Sequence, residues 1–179
     1  MKHLKHLKTF KILLLIAALL TPTAASAREV TIGTSIPVMA PLTGGSSYGL
    51  GVMPRLQLGL TDRIKLSLEA GAILSHETGE WAASQYPVLV GGTWEFGDLG
   101  DLGRPYLQLL AGYTHADQDI LEIDSAHWIT AGIGAGVNIH WREAIFQVGF
   151  DFRCPDLRGA SRHPVWMAIN LGVHYALLK

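Results

Sequence analysis

Apolar and polar residues alternate with a period of two through most of the chain. In the segment 129–141 every odd position is apolar, and every even position is glycine or polar. Successive side chains of a β-strand point to opposite faces. The segment therefore predicts a strand with one apolar face and one face that is small or polar.

The same pattern predicts eight strands, each roughly ten residues long. They lie at 30–38, 48–60, 64–72, 88–96, 106–115, 129–141, 146–153 and 167–175. The connections alternate in length. Short ones fall at 61–63, 97–103 and 142–143, and longer polar ones at about 39–47, 75–85, 117–126 and 154–164. Outer-membrane barrels alternate in this way, with short periplasmic turns and longer outer loops, which would put both termini in the periplasm.

The parity of the apolar positions also predicts the register of two hairpins. Leu60 and Ile64 both belong to the apolar face, so position i of the first hairpin should lie opposite position 124 − i. This register places Arg55 across from Glu69, where opposite charges attract. In the later hairpin Trp141 should pair with Ala144, although 142–143 lacks the glycine expected of a two-residue turn.

Composition turns this strand pattern into a membrane prediction. The 179 residues are 49% hydrophobic and only 16% charged, whereas a soluble surface carries roughly 25–35% charged residues. After the N-terminal leader, no segment holds 18 consecutive apolar residues, so no membrane helix is predicted. The remaining membrane architecture is a closed barrel. We therefore predict an all-β fold, an eight-stranded antiparallel up-and-down transmembrane β-barrel.

The N-terminal segment has the pattern of a signal peptide. Lys2, Lys5, Lys8 and Lys11 precede the apolar run 12–20, Pro22 follows, and Ala25-Ser26-Ala27 offers small residues at a cleavage site. The alternative is an uncleaved anchor, but this run is shorter than the roughly 20 residues of a membrane helix. We predict a signal peptide at 1–27 and one barrel domain at 28–179, located in the outer membrane of a Gram-negative bacterium.

Charge and cysteine content narrow the function further. The leader holds four of the 14 basic residues and none of the 15 acidic ones, so the mature chain has a net charge of about −5. That balance argues against nucleic acid as a partner, because its binding requires a basic patch. The single cysteine, Cys154, excludes an internal disulfide.

The last predicted strand carries the most specific motif. Asn170, Gly172, Tyr175 and Leu177 stand where a polar residue, a glycine and two apolar residues precede the terminus. In this feature and its architecture, the mature chain resembles the small eight-stranded outer-membrane barrels of the OmpA/OmpX-like class. The resemblance implies that these four residues form the signal read by the barrel-assembly machinery. Leu178-Lys179 departs from it, because many members end on an aromatic residue.

Six charged residues fall on the polar face of the predicted strands and form a predicted lumen charge network. They are Arg55, Lys65, Glu69, Glu95, Asp151 and Arg153. The interior of an eight-stranded barrel is only wide enough for side chains to fill it. Isolated charges there would be costly, so they should pair. A salt-bridged plug is expected, and a narrow gated pore is the alternative.

No residue set predicts a catalytic, cofactor or metal site. The candidates for a lipid A hydrolase or acyltransferase are Ser75-His76-Glu77, then Asp124, Ser125 and His127, then Ser161 and His163. The His-x-Ser-Asn run of lipid A deacylases is absent. The acidic loop 117–124 does not fit the calcium-loop pattern. Gly92-Thr93-Trp94 is similar to the lipocalin Gly-x-Trp, but it lies in the fourth strand, and a soluble lipocalin-like barrel would have the reverse polarity.

These observations favour a non-enzymatic outer-membrane protein that supports envelope integrity or surface interaction. Its expected partners are outer-membrane lipid, lipopolysaccharide and, during biogenesis, the barrel-assembly machinery. We expect a monomer without a cofactor.

Overall fold

A computed structural model describes residues 29–42, 48–77, 80–116, 127–154 and 165–178. The predicted signal peptide lies outside this part of the chain and stays a prediction. The described residues form nine strand segments and one short 3₁₀ helix, Gly100–Leu102. The segments are β1 Glu29–Pro41, β2 Tyr48–Gly59, β3 Ile64–Ala70, β4 Ala72–Glu77, β5 Glu80–Glu95, β6 Arg104–Ala116, β7 His127–Trp141, β8 Ala144–Cys154 and β9 Trp166–Leu178.

The nine segments make eight barrel strands, because β3 and β4 are two halves of one strand. Both pair with β2 in a single continuous register, and they are separated only at Gly71. The amide of Gly71 still donates to the carbonyl oxygen of Pro87 on β5, at 3.1 Å. Every neighbouring pair is antiparallel, and β1 pairs with both β2 and β9, so the sheet closes. The predicted fold class is confirmed.

The strands are staggered around the barrel. Glu29 begins a row of partners that crosses all eight strands and returns to β1 at Met39, ten residues further along. The members between them are Gly59, Lys65, Thr93, Gln108, Gly134, Asp151 and Ala168. Such a stagger in an eight-stranded barrel corresponds to a strand tilt of about 40°.

The two faces of the wall differ as the alternation predicts. The large outward isoleucines of β7 are exposed, with Ile133 at 54%, while inward Thr130 and Asn138 are buried. Leu58 is an exception: it has outward parity but is only 3% exposed, between its register partners Val30 and Leu66. The registers of the two hairpins are as predicted, with Arg55 opposite Glu69 and Trp141 opposite Ala144.

The two ends of the barrel differ. The turns at 60–63, 96–103 and 142–143 lie at one end with Glu29 and Leu178, and we call this the turn end. The connections that follow Pro41, Glu77, Ala116 and Cys154 lie at the other, the loop end. Of the predicted loops, 43–47, 117–126 and 155–164 lie outside the described residues.

The prediction of a polar loop at 75–85 is wrong. β4 continues to Glu77 and β5 begins at Glu80, so most of the stretch is a paired hairpin. Strand pairing is made by backbone groups, and beyond an apolar environment the side chains no longer need to alternate. The polarity of this stretch therefore indicates where the hairpin leaves the apolar region rather than where the strands end.

Each turn has a local chemical basis. In the first, the hydroxyl of Thr61 accepts hydrogen bonds from the amides of Arg63 and Ile64, at 3.2 and 3.0 Å. In the second, Gly97, Gly100 and Gly103 all have positive φ, which glycine adopts without steric cost. In the third, Arg142 has φ of 57°. No helix in the described ranges is long and apolar enough to cross a membrane.

Candidate functional site: the barrel lumen

The middle of the lumen is crossed by a layer of hydrogen-bonded side chains. Arg55 of β2 forms an ion pair with Glu69 of β3, with Nη2 2.7 Å from Oε1. Its other terminal nitrogen, Nη1, reaches across the lumen and donates to Oε1 of Gln147 on β8 at 2.5 Å. Gln108 of β6 donates from Nε2 to Oε1 of Glu69 at 2.9 Å. All four side chains are buried, so this layer joins four strands across the interior.

Tyr106 fills the space beside this layer. Among the described residues it is the largest fully buried side chain, and its ring lies over one glycine of β7 and one of β8. A Cβ at Gly136 would lie 2.8 Å from Cε1 of the ring, and a Cβ at Gly149 would be closer still to the hydroxyl. Glycine at these two positions is therefore a packing requirement, because a side chain there would collide both with the tyrosine and with the backbone of the adjacent strand.

A second group of charges lies towards the turn end. Lys65 is buried between two carboxylates, with Nζ 3.3 Å from Oε1 of Glu95 and 3.3 Å from Oε2 of Glu29. Asn138 donates from Nδ2 to Oε1 of Glu95 at 2.8 Å. The carboxylate of Glu95 is fully buried, so these partners compensate a charge that would otherwise be costly to desolvate.

The third pair lies nearer the loop end and within one strand. Nη2 and Nε of Arg153 donate to Oδ2 of Asp151, at 2.6 and 3.1 Å. Their positions differ by two, so both side chains project from the same face of β8. Gly134 of β7 lies opposite Asp151, and a Cβ on this glycine would collide with the aspartate carboxylate. The six predicted lumen charges are thus buried as three ion pairs at three heights.

A group of buried apolar side chains lies towards the loop end of the lumen, next to the buried polar side chains of Gln85, Thr114 and Thr130. Its members are Met39, Ile73, Trp166 and Ala168. Ile73 and Met39 meet over Gly49, where a Cβ would lie 3.2 and 3.3 Å from their side chains. The expectation of an inward face made only of glycine and polar residues is therefore wrong at these positions.

Three of these apolar residues lie just beyond the ends of the predicted strands. If the alternation of inward and outward positions is continued from 30–38 to Met39, from 64–72 to Ile73 and from 167–175 to Trp166, all three side chains fall on the inward face. The same cluster bounds a cavity of only about 10 Å³, which Arg153 also lines. That is room for about one water molecule. A second apolar cluster, Met53, Leu89 and Leu110, lies further in.

The residues of the predicted assembly signal occupy β9. Asn170 is inward and fully buried, Gly172 shares its face, and Tyr175 and Leu177 are exposed on the outer face. Their role in assembly stays a prediction.

The candidate catalytic residues do not converge in the described structure. Ser75 points inward and is buried, whereas His76 is the next residue of an extended strand and points to the other face. Asp124, Ser125, Ser161 and His163 lie outside the described residues, and His127 begins β7. Within the described ranges, no group of three His, Cys, Asp or Glu side chains is arranged to hold a metal ion.

Comparison with known proteins supports the fold of the chain and identifies no family in sequence. The chain matches no protein-family model and no curated protein. Among solved structures it is similar to Neisserial surface protein A, with TM-score 0.56 and 10% identity over 82% of this chain and 95% of that one. It is also similar to a barrel from the de novo design of transmembrane β-barrels, with TM-score 0.51 and 13% identity over 84% and 97%. The architectural resemblance to small eight-stranded outer-membrane barrels is confirmed.

Proposed function

We propose that this chain is an integral outer-membrane barrel protein without enzymatic activity, whose lumen is plugged and whose loops face the cell exterior. It would support envelope integrity or surface interaction. The observation that carries the proposal is the use of the inward charges: each of the six is buried in an ion pair within the barrel. Such groups neutralise one another inside the wall and present no reactive surface.

The outer face supports a membrane location. Large apolar side chains are exposed on every strand: Ile32, Val52, Ile64, Val90, Leu109, Ile133, Val148 and Ile169. A soluble monomer rarely exposes a continuous apolar patch of more than a few hundred Å². The polarity also opposes a lipocalin-like binder, which would hold its charges outside and its large apolar residues inside.

A plugged lumen is favoured over a narrow pore by two layers of different chemistry. The central layer joins Arg55, Glu69, Gln108 and Gln147 across the interior. The apolar cluster with Met39, Ile73 and Trp166 narrows the lumen towards the loop end, where the cavity beside it measures only about 10 Å³. An ion passing through would need to break the hydrogen bonds of the first layer and then lose most of its hydration in this small space, which is costly.

The decisive measurement is single-channel conductance of the full-length protein in planar bilayers. We expect no conductance, together with different gel mobility of the detergent-solubilised protein before and after boiling. Stable open channels would contradict the plugged lumen. Recovery of the native protein as soluble periplasmic material would contradict the membrane barrel itself.

The enzyme alternative has its own test, because the candidate residues near 125–127 and 161–163 are not part of the described lumen. Mass spectrometry of lipid A from cells with and without the gene should give the same acyl pattern. A pattern that changes with the gene would contradict the non-enzymatic proposal, and Ser125→Ala and His127→Ala would then show whether those residues are responsible.

The proposed partners follow from the location. The outer face would contact outer-membrane lipid and lipopolysaccharide, and β9 with Asn170, Gly172, Tyr175 and Leu177 would engage the barrel-assembly machinery. We propose a monomer, because the closed sheet leaves no full-length strand edge to pair with a second copy.

A further inference from the structure

The turn end of the wall has a notch beside the end of β7. Because β6 begins at Arg104, opposite Asn138, the last three residues of β7 pair only with β8 among the described strands. The β5–β6 connection folds against this edge at Gly103, where a Cβ would lie 3.0 Å from Cα of Ile139. The space between them is an open cleft of about 580 Å³.

One side of the cleft is apolar and continuous with the outer face. It is lined by Ile139, Trp141 and Phe146. The two aromatic rings lie 6.2 Å apart, and Trp141 is among the most exposed aromatic side chains of the described chain. A surface of this kind suits acyl chains rather than water.

The other side of the cleft carries opposite charges. It is lined by Asp98, Arg104 and His140. The side chain of Arg104 is 41% exposed, and its Nη1 lies 3.8 Å from Oε2 of Glu95, too far for a direct hydrogen bond, so its N–H groups can reach a ligand. Oδ1 of Asp98 accepts from the amide of Gly100 at 2.9 Å, which fixes the carboxylate and leaves it further acceptor sites.

The connection above the cleft contains two exposed leucines. Leu99 is 51% and Leu102 is 71% exposed, in a turn that otherwise consists of glycine and aspartate. A turn surrounded by water has no physical need for two exposed leucines. At the boundary of a bilayer both can enter the acyl region, which places the charged side of the cleft at headgroup depth.

We propose that this cleft binds a phospholipid with a phosphate and a free ammonium, such as phosphatidylethanolamine. Arg104 would hold the phosphate, Asp98 would accept from the ammonium, and Ile139, Trp141 and Phe146 would contact an acyl chain. His140 is already engaged, because its Nε2 lies 3.5 Å from Oε2 of Glu95. The carboxylate of Asp98 on the polar side disfavours a headgroup with a net negative charge. The proposal rests on the proposed membrane location and adds a specific lipid to it.

The test is native mass spectrometry of the purified barrel in detergent, titrated with three lipids of identical acyl chains. These are phosphatidylethanolamine, phosphatidylglycerol and phosphatidylcholine, whose quaternary ammonium cannot donate a hydrogen bond. We expect the ethanolamine lipid to be retained about tenfold better, the factor for one charge-assisted hydrogen bond. This comparison requires no variant.

Two variants assign the retention to the cleft. Arg104→Gln should lower retention of all three lipids about tenfold, and Asp98→Asn should remove the preference for ethanolamine. The matched controls Asp62→Asn and Arg63→Gln change an exposed acid and base of the 61–63 turn, outside the cleft, and should leave retention unchanged.

The outcomes separate this proposal from the one on which it rests. Equal retention of the three lipids, preference for the glycerol lipid, or equal loss in the control variants would each overturn the lipid site. The lipid titrations would be carried out on protein that runs as a compact band before boiling, which shows that the barrel is folded. A wild-type protein whose mobility does not depend on boiling would contradict the membrane barrel instead.

Discussion

Arg55 and Glu69 face each other on neighbouring strands inside the barrel, with Nη2 of the arginine 2.7 Å from Oε1 of the glutamate. Both side chains are fully buried, and the glutamate also accepts from Gln108. A buried pair of this kind contributes little net stability compared with apolar residues of similar volume, but breaking it leaves an uncompensated charge.

Removing one partner of this pair should therefore be worse than removing both. We expect Glu69→Gln to lower the free energy of unfolding by about 3–5 kcal/mol, because the guanidinium of Arg55 stays buried without its counter-ion. The double variant Arg55→Met with Glu69→Leu should lose less than Glu69→Gln alone. Urea unfolding in detergent measures both, with the exposed Asp62→Asn as control. A double variant that loses as much as Glu69→Gln, or more, would contradict this interpretation.

The packing of Tyr106 predicts a sharp difference between two glycines. Gly149→Ala should lower stability by about 1–3 kcal/mol, because the new methyl group would collide with the tyrosine hydroxyl and with the carbonyl oxygen of Ala135. Gly92→Ala is the matched control, since its nearest neighbour would be the carbonyl oxygen of Lys65 at 4.0 Å. The midpoint of urea unfolding should shift in the first variant only. An unchanged midpoint for Gly149→Ala would contradict the packing argument, and equal shifts in both variants would point to a general effect of replacing glycine.

The apolar cluster at the loop end predicts a different effect for inward and outward tryptophans. Trp166→Ala should lower stability by about 3–5 kcal/mol, because it removes a buried side chain from a packed cluster. Trp94→Ala, at an outward position that is 52% exposed, should lose less. Unfolding in the same detergent compares them. A larger loss at Trp94 would mean that contact with the surrounding amphiphile outweighs packing in the lumen.

The 142–143 turn predicts a stabilising substitution. Arg142 has φ of 57°, a conformation that costs a residue with a Cβ about 1–2 kcal/mol. Its guanidinium lies 5.5 Å from the centre of the Trp141 ring, an interaction of about 0.5–1 kcal/mol at exposed sites. Arg142→Gly should therefore gain up to about 1 kcal/mol in unfolding experiments. Arg63→Gly, where φ is not positive, should bring no gain, and a gain there would point to a general effect of losing an arginine.

The sequence predicts the wall of this barrel better than its interior. Parity at Leu60 and Ile64 was enough to pair Arg55 with Glu69, because a shift by one residue would turn every apolar side chain inward. Segment 106–115 was harder to interpret. Leu107 and Leu109 face outward while Tyr106 and Leu110 face inward, so both faces are apolar and periodicity cannot distinguish them.

Partners across the lumen could not be predicted from local pattern at all. The hydrogen bond between Arg55 and Gln147 joins two residues that are 92 positions apart in the sequence. It depends on the stagger of the whole barrel, which no single hairpin fixes. The cleft at Arg104 and Trp141 likewise depends on where β6 begins relative to the end of β7.

The positions of the ion pairs have a consequence for how the chain enters a bilayer. Asp151 and Arg153 belong to one strand, and Arg55 and Glu69 belong to one hairpin. Each of these four charges can thus be neutralised by a neighbour in the same strand or hairpin before the remaining strands arrive, which lowers the cost of moving it into hydrocarbon. An insertion intermediate with one edge still open would already carry paired charges. When β1 then closes on β9, only backbone groups remain to be paired, because no isolated ion has to be desolvated first.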